Sequence, residues 1–137
     1  MFQNYETLKK QSQGIIDKVS TYGNNIIRKG RMMTEEERVR CELRAHMFKA
    51  LAHPLRIFML EKLKERQWCV CELAEELGMH KSTVSKYLTQ LKEAGLVDDQ
   101  KEGTLVKYHL TAPCVLDLAA CAENAVLRNR KKQLGLS

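Results

Sequence analysis

The sequence holds only two prolines, Pro54 and Pro113, and seven glycines among 137 residues. Punctuation this sparse leaves little room for the many turns of an all-β fold and much for helices. Long apolar runs are missing as well. The longest clean stretch near the centre is Ile57 to Leu60, far short of the roughly 18 residues that a membrane-crossing helix needs. The N-terminus carries Lys9 and Lys10 with no apolar block of about 7 to 15 residues after them, so no secretory leader is expected. A cytoplasmic chain with no membrane partner is the expectation.

Acidic residues are also in deficit. Lysine plus arginine number 23 against 17 aspartates and glutamates, a formal net charge of +6, which points to a polyanionic partner such as nucleic acid. The excess lies at the two ends: residues 1–33 carry +4 and the run Arg128 to Lys132 another +4, whereas residues 34–127 sum to −2. At 44% hydrophobic the chain can fill one core, and its length excludes a large multi-domain enzyme. The five cysteines are an odd number, and thiols in a reducing compartment more often bind metal or react than form disulfides.

Helical signals run through the chain from Thr34. Thr34-Glu35-Glu36-Glu37 reads as a capping box, and Val39, Leu43, Met47 and Leu51 follow at helical spacing, predicting a helix over about 35–51. His53-Pro54 closes it, because the residue before proline is pushed out of the α region. A second helix is expected over about 55–65 with Ile57, Leu60 and Leu63 inward, and a third over about 70–77, ended by Gly78. A fourth spans about 81–94 and stops at Gly95. Then the period changes: Leu96-Val97, a polar turn from Asp98 to Gly103, and Leu105 to Leu110 predict a short antiparallel hairpin with Gly103 at its tip. A last helix follows Pro113, with an apolar stripe of Val115, Leu116, Leu118, Ala119, Ala122, Val126 and Leu127. Residues 1–33 show no sustained periodicity and read as a basic, weakly structured arm; the main domain is placed at 34–132 and a tail at 133–137.

Two short helices joined through a glycine are the signature of a helix-turn-helix. Ala74 is small enough to let the helices cross, and Leu73, Leu77, Val84 and Leu88 supply the packing. A hairpin directly after the second helix makes the order that of a winged helix: mainly α with a small β-hairpin, α-α-α-α-β-β-α. The second helix would enter the major groove. Ser82, Thr83 and Ser85 offer hydroxyls to bases or phosphates, Lys81, Lys86 and Lys92 offer positive charge, and Gln90 lies off the apolar stripe with them. No acidic residue falls between Lys81 and Lys92. Lys101 and Lys107 on the wing are placed for a phosphate or minor-groove contact.

The run Phe48-Lys49-Ala50-Leu51-Ala52-His53-Pro54-Leu55-Arg56, then Cys69-Val70-Cys71-Glu72-Leu73, Ser82-Thr83-Val84-Ser85-Lys86-Tyr87-Leu88, and Glu102-Gly103 through Tyr108-His109-Leu110 resemble the ArsR/SmtB family of winged-helix metal- and metalloid-responsive repressors. The resemblance covers about residues 45–112. It implies a homodimer built by the first and last helices, bound to a two-fold-related operator in double-stranded DNA and released by a thiophilic ion.

Cys69-Val70-Cys71 resembles the paired cysteines of the family's arsenic, cadmium and lead sensors, and soft thiolates suit soft ions. Residues i and i+2 of a helix do not face each other, so both sulfurs can hold one ion only if Cys69 precedes the helix or the first turn unwinds. The position three after Cys71 is Ala74, where the best-known arsenic-sensor pattern has a further cysteine. A third thiolate must come from Cys41, Cys114 or Cys121. Cys114 and Cys121 stand about 10.5 Å apart along a straight helix, too far to share one ion easily. The resemblance disfavours zinc sensing, because the family's zinc and cobalt sensors draw on carboxylates and histidines of the last helix, where this sequence offers Asp117 and Glu123 but no histidine. Trivalent arsenic is therefore the first inducer expected, with antimony, cadmium or lead as related ions. The alternative is a redox switch at the same cysteines. No catalytic signature is present, so an enzyme is not expected.

Overall fold

The structure is a computed structural model describing residues 33–136. The chain divides into two compact units between Ala50 and Leu51. The arm expected at residues 1–33 lies outside the described residues except for Met33, as does Ser137 of the expected tail.

The described part of the first unit is helix α1, Glu35–Leu51, whose last residue opens the second unit. Its capping box forms as the sequence predicts. The Glu37 amide donates to Thr34 Oγ1 at 3.2 Å, and the Thr34 amide donates to Glu37 Oε2 at 2.9 Å. Arg38 bridges Glu35 at 2.6 Å and Glu42 at 2.7 Å, one turn to either side, and both carboxylates hold its guanidinium protonated. Val39 is buried.

In the second unit α2, Pro54–Glu65, begins on a proline, whose missing N–H costs nothing in a first helical turn. The strand β1, Trp68–Cys69, follows, then α3, Val70–Leu77, and α4, Lys81–Glu93. The wing is β2, Val97–Glu102, and β3, Leu105–Leu110, and the long helix α5, Cys114–Gln133, ends the chain. The three strands form one antiparallel sheet in the order β1-β3-β2.

Two departures from the sequence reading concern this sheet. The polar stretch Asp98–Glu102, expected as a turn, is paired strand: Asp98 faces His109 and Glu102 faces Leu105, so only Gly103 and Thr104 turn the chain. Buried Val97 opposite Leu110 sets that register, and β2 is an edge strand, where charged side chains stay in water. Gly103 sits at the tip with φ 63°, which a residue without Cβ adopts freely. The second departure is β1. Two residues carry no alternation to detect, yet Trp68 pairs with Tyr108 and Cys69 with Lys107.

The core of this unit joins Met59, Leu60 and Leu63 of α2 to Leu73 and Ala74 of α3, Val84, Leu88 and Leu91 of α4, Leu96 and Val97 at the root of the wing, and Val115 of α5. Because α2 packs against β3, α4 and α5 at once, Met59 is fully buried although the expected stripe omitted it, while Ile57 is only half-buried. On α5 only Val115 of the expected stripe is buried; Leu118, Val126 and Leu127 remain 46%, 52% and 47% exposed.

Candidate nucleic-acid interface and cysteine pair

The turn between α3 and α4 is built by Gly78 in the left-handed conformation, φ 61° and ψ 34°. Its amide donates to the Glu75 carbonyl at 3.1 Å and the Met79 amide to that of Ala74 at 2.9 Å, which satisfies the carbonyls the helix end leaves open. Ala74 is buried where the helices meet. His80 then caps α4: its Nδ1 accepts from the Ser82 amide at 3.3 Å and lies 2.7 Å from Ser82 Oγ.

Val84, Leu88 and Leu91 fix one face of α4 in the core, so Lys81, Ser82, Ser85 and Lys86 are exposed together and Thr83 is half-buried beside them. Among the described residues Lys81, Lys86 and Lys101 form no ion pair. The other expected DNA contacts have partners inside the chain. Gln90 Oε1 accepts from the Arg56 guanidinium of α2. Lys107 pairs with Glu102 at 2.8 Å, and that hydrogen bond holds its ammonium above the usual lysine range. Lys92 pairs with Asp98 at 3.2 Å and with Asp99.

Sequence reasoning missed the residues that tie α4 to α2. The Tyr87 hydroxyl lies 3.1 Å from His53 Nε2, and the Arg56 guanidinium stands 5.8 Å from the Tyr87 ring centre. His53 also caps α2, its Nδ1 accepting from the Leu55 amide at 3.2 Å. The available signal was a histidine just before a helix-starting proline.

Cys69 lies before α3, one of the two arrangements in which the i, i+2 pair could share an ion. It is the N-cap, with φ −84° and ψ 163°. Its Sγ accepts from the Glu72 amide at 3.4 Å, while Glu72 Oε2 accepts from the Cys69 amide at 2.9 Å. These bonds from Cys69, with Arg66 behind them, hold the Glu72 carboxyl below the usual carboxylate range. Cys69 is buried and Cys71 exposed. Trp68 is locked beside them: its Nε1–H donates to the Lys62 carbonyl at 2.9 Å, and the Arg66 guanidinium lies 3.4 Å above its ring. Lys62 pairs with Glu76 at 2.8 Å, linking α2 to α3. Cys114 and Cys121 are exposed on α5, and Cys41 is exposed on α1. Among the described residues no three Cys, His, Asp or Glu side chains gather closely enough to hold a metal ion.

Residues 53–99 match the family model described as bacterial regulatory protein, arsR family. The chain is 39% identical over 88 residues to Rv0081, an HTH-type transcriptional regulator of Mycobacterium tuberculosis, covering 64% of this chain and 77% of that protein. The chain belongs to the ArsR family of bacterial regulatory proteins. This ArsR-family protein is therefore a winged-helix transcriptional regulator and not an enzyme. The crystal structure of Rv0081 superposes with a TM-score of 0.59 at 35% identity, covering 69% of this chain and 96% of that one. The solution structure of Mb0332 from Mycobacterium bovis, a homodimeric winged helix-turn-helix DNA-binding domain, gives a TM-score of 0.61 at 28% identity over 71% of this chain and 90% of that one. The transcriptional repressor SmtB of M. tuberculosis is 40% identical over 85 residues, covering 58% of this chain and 63% of that protein. Among the described residues no helix is long and apolar enough to cross a membrane.

Proposed function

We propose that this ArsR-family protein is a cytoplasmic homodimer that holds operator DNA in its inducer-free state and releases it when a thiophilic ion, trivalent arsenic first, binds Cys69 and Cys71. The observation that carries the reading is the double role of Cys69. Its side chain caps the first helix of the reader, and its backbone faces Lys107 on the wing.

Lys81, Ser82, Thr83, Ser85 and Lys86 meet the major groove, and Lys101 approaches phosphate from the wing. Two such helices are presented by a dimer that covers Leu118, Val126 and Leu127, whose exposure on one long helix is unusual for an isolated chain. In the domain arrangement proposed, the basic arm over residues 1–33 adds salt-sensitive affinity, residues 34–132 bind DNA and dimerise, and residues 133–137 form a tail.

The donor set fits a thiophilic ion in part. Cys69 and Cys71 supply two sulfurs at the same helix start, and a third would come from Cys41, Cys114 or Cys121. A bound ion supplies strong bonds to thiolate sulfur. Turning the buried Cys69 sulfur toward such an ion takes it from the Glu72 amide, and the exposed Cys71 must turn back across the first turn of α3. Both movements disturb the helix against which α4 packs and the residue to which the wing is paired.

The test is operator release by arsenite, antimonite, cadmium, lead and zinc, measured by fluorescence anisotropy on wild type, Cys69→Ser and Cys71→Ser. Both variants are expected to bind DNA and ignore arsenite. Undiminished release in both would refute the site. Release by peroxide, reversed by reductant and absent with arsenite, would favour the redox reading.

A further inference from the structure

The wing of this protein is acidic. Between Leu96 and Thr111 stand Asp98, Asp99 and Glu102 against Lys101 and Lys107, and Glu102 already neutralises Lys107. As a whole, a strand pair of net negative charge gains nothing from approaching a phosphate backbone, and Lys101 is its one lysine without an ion pair among the described residues. From outside the wing, Lys92 on the last turn of α4 reaches its first strand. That side chain is held by two carboxylates, Asp98 and Asp99, so the cluster as a whole carries a net negative charge.

The junction it spans is otherwise closed by backbone bonds and one threonine hydroxyl. The Leu96 amide donates to the Leu91 carbonyl at 3.0 Å, and Gly95 turns the chain with φ 76°. Just after β3 the Thr111 hydroxyl donates to the Gly95 carbonyl at 2.8 Å and the Thr111 amide to that of Leu96 at 3.0 Å. The Asp99 amide donates to Asp98 Oδ1 at 2.9 Å, which fixes one carboxylate where Lys92 meets it. The root of the wing is thus held on its inner side by Leu96 and Val97 in the core and on its outer side by Lys92.

We propose that Lys92 is a positioning residue: with Asp98 and Asp99 it sets the angle between the recognition helix and the wing, and it does not contact phosphate. The inference rests on the DNA-binding reading given above. It reverses the expectation for Lys92 drawn from the lysine run of α4, and it predicts an effect of Asp98 and Asp99 opposite in sign to simple electrostatics.

The experiment uses the full chain and a 30-base-pair duplex recovered by the wild type from a randomised pool, with anisotropy titrations over a range of salt. Each phosphate contact contributes about 0.9 to the slope of log K against log salt, or roughly 1.8 for a two-fold dimer. Lys86→Gln, the reference, is expected to lose that slope. Lys92→Gln is expected to weaken binding roughly fivefold with the slope unchanged, and Lys92→Arg to restore most of it. The double variant Asp98→Asn/Asp99→Asn removes two negative charges per chain yet is expected to bind more weakly. A slope falling by roughly 1.8 in Lys92→Gln, tighter binding by the Asp98/Asp99 variant, or no change in either would overturn the proposal. If the wild type recovers no duplex at all, the DNA-binding reading fails instead. A thermal melt of each variant confirms that it is folded.

Discussion

Replacing Cys69 by alanine and by serine separates the structural work of this residue from its proposed chemistry. Its sulfur accepts the Glu72 amide at 3.4 Å, and the return bond from Glu72 Oε2 to the Cys69 amide, at 2.9 Å, needs no side chain at position 69. Alanine therefore removes half of the capping box. Loss of an N-cap acceptor costs about 1 kcal/mol on average, and sulfur is a weaker acceptor than a hydroxyl. The expected loss in Cys69→Ala is thus at the low end, about 0.5–1 kcal/mol. Serine puts a better acceptor in the same place, so Cys69→Ser should equal or exceed the wild type, with a gap of about 1 kcal/mol between the two variants. For a chain of this size that gap amounts to roughly 3–5 °C in Tm. The assay is thermal and urea unfolding of reduced protein at one fixed concentration, since dimerisation makes apparent stability depend on it. Alanine and serine variants of equal stability would refute the capping argument. Arsenite release of DNA that survives in the more stable serine variant would refute the thiol as a ligand, free of any complaint that the protein was damaged.

Other outcomes follow from the packing. Leu88→Ala, at a site with no solvent exposure, should cost about 2–5 kcal/mol through the cavity it leaves, read as a fall in urea midpoint. Gly78→Ala should destabilise by about 1 kcal/mol although a Cβ there meets nothing within 4 Å, because φ 61° itself is strained for alanine; an unchanged Tm would contradict this. Tyr87→Phe keeps the ring and loses only the bond to His53, so DNA affinity should fall while urea stability changes little. The Lys62 ammonium, by its hydrogen bond, holds the Glu76 carboxyl below its ordinary value of 4.5. A depressed carboxyl stabilises the fold above its unfolded pKa and loses that contribution as pH falls through its folded one. Glu76→Gln should therefore be less stable than wild type at neutral pH, with the difference closing as pH falls below 4.5 and through the lowered folded-state pKa; a difference that persists in full under acid conditions would assign the effect to packing.

Much of the reader was legible because its signals are local. Apolar residues at helical spacing, Gly78 and Gly95 at helix ends, and Gly103 at a hairpin tip each depend on a few neighbouring residues. The i, i+2 spacing of Cys69 and Cys71 left two arrangements open for a shared ion, and the fold has the one with Cys69 before α3. What escaped was set by residues far apart in the chain. Met59 is buried because three elements close on α2 from different sides. Strand β1 exists because β3 offers it an edge. Gln90, Lys92 and Lys107 looked like free DNA contacts on their own elements, and each is met by a partner that its own element's periodicity cannot reveal.

The sequence by itself determined the order of the helices and the wing, the winged helix-turn-helix and the face of α4 that carries Lys81, Ser82, Ser85 and Lys86, since backbone preference and apolar periodicity act over one or two turns. Only the tertiary structure decided which of the positive charges remain available to DNA. That choice depends on where carboxylates from another strand come to rest, and an ion pair is made by distance in space and not by distance along the chain.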